Sequence, residues 1–166
     1  MAYAMFRSDN MEGTKDGKFL VSLYVSADGG IENGNVVKVG GLKTGEREVR
    51  SYTTPAATDS IDDIAIIGSE EVVADKKYNG VGDFINLKGS IARGSKLVKG
   101  DLFAVTVEAL AAADNYTYTP GTTVCELQAG TKLKCANAVT SGSTQVGVLE
   151  AVEAEGATTW YVFRVV

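Results

Sequence analysis

The sequence predicts an all-β protein: a mainly antiparallel β-barrel or compressed β-sandwich of about eight to ten short strands, with an extended N-terminal arm and at most one or two short helical turns. Three observations predict it. Apolar and polar residues alternate with a period of two in several short runs, as in half-buried strands. Glycine is abundant and proline scarce, nineteen against two, and many of the glycines stand in turn-forming pairs between those runs. Residues 89–110 hold both signals at once. Turns are expected there at Ala92-Arg93-Gly94 and Lys99-Gly100-Asp101, and Leu102, Ala104 and Thr106 then alternate with Phe103, Val105 and Val107.

At 166 residues and 17.4 kDa the chain suits a single domain, expected as an extended arm over residues 1–18 and one β domain over residues 19–166. A net charge of −5 and a pI near 4.8 leave no basic surface to neutralise phosphates, which disfavours nucleic acid as a partner. No run reaches the roughly 18 apolar residues of a membrane span, and the first ten residues lack signal-peptide order, so synthesis in a host cytoplasm is expected and a membrane is not. Histidine is absent. Ser-His-Asp, Cys-His and histidine-based metal sites are thereby excluded.

The arm is polar and broken by Gly13 and Gly17, with Tyr3, Met5, Phe6 and Met11 as its apolar anchors. It packs along its own domain or reaches a neighbour; in the second case, deleting residues 1–13 would leave the barrel folded. Residues 19–26 alternate as a strand with Phe19, Val21, Leu23 and Val25 toward the core. Asp28-Gly29-Gly30 and Asn33-Gly34-Asn35 turn the chain before a strand at residues 36–39, which Gly40-Gly41 is expected to end. Residues 46–52 read as an exposed or edge strand. Residues 53–63, with Pro55, form a loop, and residues 64–68 (Ile-Ala-Ile-Ile-Gly) a buried strand, for which a helix over residues 59–67 is the alternative. Residues 70–74 come next. Thr106 is placed to cap one helical turn reaching Leu110. Residues 115–120 make an aromatic loop. The last third reads as a four-strand meander over residues 122–128, 131–136, 145–153 and 158–166, whose first turn sets Cys125 across from Cys135.

Each candidate site has a structural alternative. The cysteine pair reads as buried thiols, because Cys-x9-Cys is not a metal knuckle and a disulfide across adjacent strands is strained. Asp59, Asp62 and Asp63 lack the order of a calcium loop and read as a solvated acidic loop. No residue takes a catalytic, cofactor-binding or metal-binding role. Tyr116, Tyr118, Trp160 and Tyr161 offer rings for sugar stacking or for coverage by another subunit, and the latter reading is preferred. The candidate partner contacts are therefore Tyr3, Met5, Phe6, Met11, Tyr116, Tyr118 and Trp160.

Asn10-Met11-Glu12-Gly13-Thr14, Ile31-Glu32-Asn33-Gly34-Asn35-Val36-Val37, Gly45-Glu46-Arg47-Glu48, Asp83-Phe84-Ile85-Asn86-Leu87-Lys88-Gly89 and Gly100-Asp101-Leu102-Phe103-Ala104-Val105-Thr106 together resemble small virion proteins of tailed bacteriophages of Gram-positive hosts, in particular capsid decoration (cement) proteins. The resemblance implies a virion structural protein on the outer surface of the phage head, the major capsid protein as partner, possible self-association as a trimer or other homo-oligomer, no cofactor and no enzymatic activity. Tail-tube and head-fibre roles share the architecture. A carbohydrate-binding or host-adhesion module and a carboxylate enzyme are the rival readings.

Overall fold

Four consecutive residues, Ile64-Ala65-Ile66-Ile67, are all buried, which a strand achieves only when both of its faces are covered. That strand is part of the wall shared by the two halves of the molecule. A computed structural model describes residues 3–72 and 80–166. Its strands are β1 (Phe6–Asn10), β2 (Leu20–Tyr24), β3 (Val36–Leu42), β4 (Val49–Thr53), β5 (Ile64–Ile67), β6 (Ile91–Lys96), β7 (Leu102–Val105), β8 (Leu110–Ala111), β9 (Val124–Glu126), β10 (Leu133–Ala136), β11 (Gln145–Glu155) and β12 (Thr158–Val165). One helical turn, α1 (Glu12–Lys15), and four three-residue 3-10 turns complete the described elements. Twelve strands thus stand where eight to ten were expected, within the expected all-β class.

Strands β2, β4, β3, β5 and β6 close into a small barrel, and β1, β7, β12, β11, β9, β10 and β8 form a seven-stranded sheet in that order. The alternation along β3 and β5 feeds two cores. Val37, Ala65 and Ile67 point into the barrel beside Leu23, Val25, Ile31 and Ala92. Val36, Ile64 and Ile66 point out of it, into the larger core of the sheet, against residues such as Phe103, Leu133, Leu149 and Phe163. The apolar run at residues 64–67 is therefore a strand, and the helical alternative falls.

The barrel is narrow, since its interior holds few side chains. Its inner layer uses Ala65, Ala92 and Gly94; a Cβ on Gly94 would stand 2.8 Å from Leu23 Cδ1 and 3.0 Å from Val21 Cγ2. This corrects the turn expected at Ala92-Arg93-Gly94, which lies inside β6 with Gly94 answering a packing demand. Gly40 and Gly41 likewise do not end their strand. They form an irregularity within β3, where a Cβ on Gly40 would meet Ser51 Oγ at 2.6 Å. Strand β4 is mostly exposed, as expected, but it is no edge: it pairs with β3 on one side and, in parallel, with β2 on the other.

The N-terminal segment ties the two halves together. Backbone N–H groups of Tyr3 and Ala4 donate to Gly82 O and to Glu32 Oε2, on the barrel side, at 2.8 and 2.7 Å. Met5 N–H donates to Thr106 Oγ1, and Thr106 N–H returns a bond to Met5 O. Strand β1 then pairs with β7, and Glu12 N–H donates to the buried carboxylate of Asp101 at 2.9 Å. Met11 is wholly buried in the main core. Of the two fates open to the arm, packing on its own chain is the one observed, and deleting residues 1–13 removes an edge strand and a core side chain together.

The last four strands do not form a simple meander. Strand β11 pairs with β9, not β10, so the spatial order is β10-β9-β11-β12 and the chain from Ala136 to Gln145 crosses back past β9. Thr106 caps nothing with its side chain, being occupied by Met5, and the turn after it is the 3-10 turn Val107–Ala109. Of residues 70–74, Val73 and Ala74 lie outside the described residues.

Candidate partner-contact surface

The aromatic and sulfur-bearing residues singled out from the sequence mostly face inward. Phe6 stacks on Phe103 with centroids 6.5 Å apart, and Phe103 stacks on Phe163 at 5.8 Å. Met11 is buried, and Met5 is partly buried against Ala104, Trp160 and Val162 on the far side of the sheet. Tyr3 remains exposed.

Trp160 is only 7% exposed, although it points away from the main core as the alternation with Tyr161 and Phe163 requires. Its cover comes from the same chain. The Arg7 guanidinium lies 5.1 Å from the ring centroid, a cation–π geometry, and the indole Nε1–H donates to Glu155 at 3.0 Å. Arg7 also bridges Asp9 and Glu153, and these hydrogen bonds raise its pKa further above the ordinary arginine value. Partner contact through Met11 or Trp160 would require opening the fold.

Tyr116 and Tyr118 meet edge to face at 5.0 Å, and Tyr118 lies 4.3 Å from Tyr161. The Tyr116 hydroxyl bonds Thr123 Oγ1 and Asn137 Oδ1 at 3.1 and 2.9 Å. The loop is thus a lid on the sheet core, leaving no open row of stacking faces. Burial raises the Tyr118 pKa.

Cys125 and Cys135 are register partners on β9 and β10, as the turn geometry predicted, and both are free and buried. Burial pushes both thiols up, Cys135 to about 12. Thiolate, the reactive form, is scarce at neutral pH. Asp62 and Asp63 are exposed, while Asp59 is held by Lys38 Nζ at 2.5 Å and by Ala56 N–H, which together lower its pKa. Among the described residues no group of three or more acidic or cysteine side chains is placed to hold a metal.

Glu126 carried no sequence signal and is wholly buried beside the cysteines. Its burial favours the neutral form. Hydrogen bonds from Lys134 Nζ and Thr140 Oγ1 and N–H, with the attraction of the ammonium, outweigh that and keep the pKa below the ordinary glutamate value. The carboxylate thereby anchors the crossing segment between β10 and β11.

Exposed apolar side chains are aliphatic, not aromatic. Val72, Leu87 and Ile91 are 77%, 64% and 50% exposed and line one open hollow of about 550 Å³ at the barrel, with Phe84, Ile85, Asn86 and Arg93 also in its wall. Val107 and Val152 are exposed on the sheet side. Leu87 and Ile91 flank the Gly89 turn, where an unpaired aliphatic on each side is the sequence signal that could have marked them. Compared with protein-family models, curated proteins and solved structures, the chain matches none of them.

Proposed function

We propose that this chain is a structural protein that works by burying surface against protein neighbours in a larger particle, specifically as a capsid decoration protein on the head of a tailed phage, with the major capsid protein as partner. The observation that carries the reading is the grouping of Val72, Leu87 and Ile91 around one hollow. Single exposed aliphatics need no explanation, whereas a cluster of them marks a surface suited to a neighbour. The segment 83–89, which supplies much of that hollow's wall, is also one of those that resemble phage virion proteins. The inward packing of Trp160 and the tyrosine loop leaves the sugar-binding reading without its expected platform.

The test is co-sedimentation of the purified chain with phage heads stripped of their outer proteins, followed by electron microscopy. Regular protrusions at capsomer junctions, lost with Leu87→Ser and Ile91→Ser in combination, are the expected result. Absence of the chain from heads, or its location in the tail only, overturns the decoration role.

A further inference from the structure

The backbone edge of the β11–β12 hairpin is open where the rest of the sheet is paired. Strand β9 accompanies β11 only from Gln145 to Val148, and Leu149 is then bonded to Thr123 O and Gly121 N–H. Beyond the bulge at Glu150, β11 continues to Glu155 with β12 on one side and, among the described residues, nothing on the other. The hairpin closes through the two residues Gly156 and Ala157, with Glu155 opposite Thr158 and Gly156 at φ +60°. In such a hairpin the closing pair is hydrogen-bonded and the direction alternates from there. Glu153 and Glu155 therefore turn their backbone groups toward β12, while Val152 and Ala154 turn theirs outward.

Side chains add a second constraint. Val152, 41% exposed, and Ala154 lie on the face shared with Tyr161 and Thr159, and Glu153 and Glu155 lie on the face shared with Trp160 and Thr158. Arg7 is the single guanidinium shared by Asp9, Glu153 and Glu155, so this edge keeps an excess of negative charge.

A second copy of the chain does not fit this edge. Antiparallel self-pairing centred on Glu153 or Ala154 sets carboxylate directly against carboxylate, which is destabilising. Centring on Val152 drives the neighbour's turn onto Val148, where β9 already pairs. We propose that the outer edge of β11 over residues 151–155 is a strand-addition site for an extended segment of a protein partner, with small apolar residues facing Val152 and Ala154 and lysine or arginine facing Glu153 and Glu155. Backbone bonds to Val152 and Ala154 supply the attachment and the alternating charges fix the register. Such an edge works in the same way whatever particle the chain belongs to.

The test titrates the full chain with an acetylated, amidated Lys-Val-Lys-Val-Lys-Val peptide and follows backbone amides by NMR, with Glu-Val-Glu-Val-Glu-Val as the control. Saturable shifts and slowed hydrogen exchange at the Val152 and Ala154 amides are expected, with no effect from the acidic peptide. Glu153→Gln with Glu155→Gln should weaken binding about tenfold. Val152→Pro removes an outward N–H that β12 does not use and should abolish binding while the remaining spectrum persists. Equal binding of both peptides, shifts located elsewhere, no saturable binding of the basic peptide, or self-association that Val152→Pro removes would each overturn the proposal.

Discussion

In the barrel, five strands pair all the way round, and the cost of closure is space: Gly94 admits no methyl group, and Ala65 and Ala92 share the inner layer. In the seven-stranded sheet, volume is plentiful, with Phe103, Phe163, Leu127, Leu133 and Leu149 all fully buried, but edges must be managed. Strand β1 ends the sheet as a short, irregularly paired strand with Arg7 and Asp9 on it, which discourages another strand from adding there. Closure lets the barrel tolerate a strand as exposed as β4, because pairing on both sides holds it without a buried face. The sheet depends on side-chain burial, so its weakest point is wherever burial ends and backbone remains open, at the β11–β12 tip.

The sharpest way to break this contrast is to remove residues 1–13. The sheet should lose β1, the Phe6 stack and Met11 at once and fail to fold cooperatively, read as loss of the near-ultraviolet circular dichroism of its aromatic core. Phe103→Ala should rank second, destabilising by about 3–5 kcal/mol in denaturant unfolding. Because β3 and β5 serve both cores, the loss should appear as one shifted transition reporting barrel and sheet together. Two transitions would refute the shared wall.

Next in size is Glu126→Gln, expected to cost about 1–3 kcal/mol, since it removes a charged acceptor from a buried network. Its pH dependence has a definite sign. A carboxylate whose folded pKa lies below its unfolded one stabilises the fold fully above the unfolded value, and that contribution is lost as pH falls through the folded value. The variant should therefore show a shallower loss of stability on acidification than the parent. Gly94→Ala should cost about 1–3 kcal/mol by overfilling the barrel, an effect that a glycine at the open Gly142 turn position would not reveal. Smallest of all, Leu87→Ser and Ile91→Ser should each change stability by less than about 0.5 kcal/mol while weakening binding to particles, which separates the surface from the core beneath it.

Much of the fold was legible because it rests on local chemistry. The alternation of residues 19–26, the buried run at residues 64–67, the turns at Gly34, Gly100 and Gly156, and the facing of Cys125 and Cys135 all stem from a two-residue period and from glycine's access to positive φ. Misreadings came where a residue's reason lay far away in the chain. Gly94 looked like a turn because its neighbours Leu23, Val21 and Ala65 come from other strands. The contact residues were sought among rings, yet Phe6, Met11 and Trp160 are the very side chains whose burial most rewards folding.

The sequence by itself determined the class of fold, the positions of most strands and which face of each turns inward, because period and turn chemistry act over a few residues. Only the tertiary structure decided that two cores share the wall of β3 and β5, that β11 slips between β9 and β12, and that the arm closes on its own sheet. Those choices depend on the packing of residues up to a hundred positions apart, and no local pattern encodes which of several apolar faces will meet.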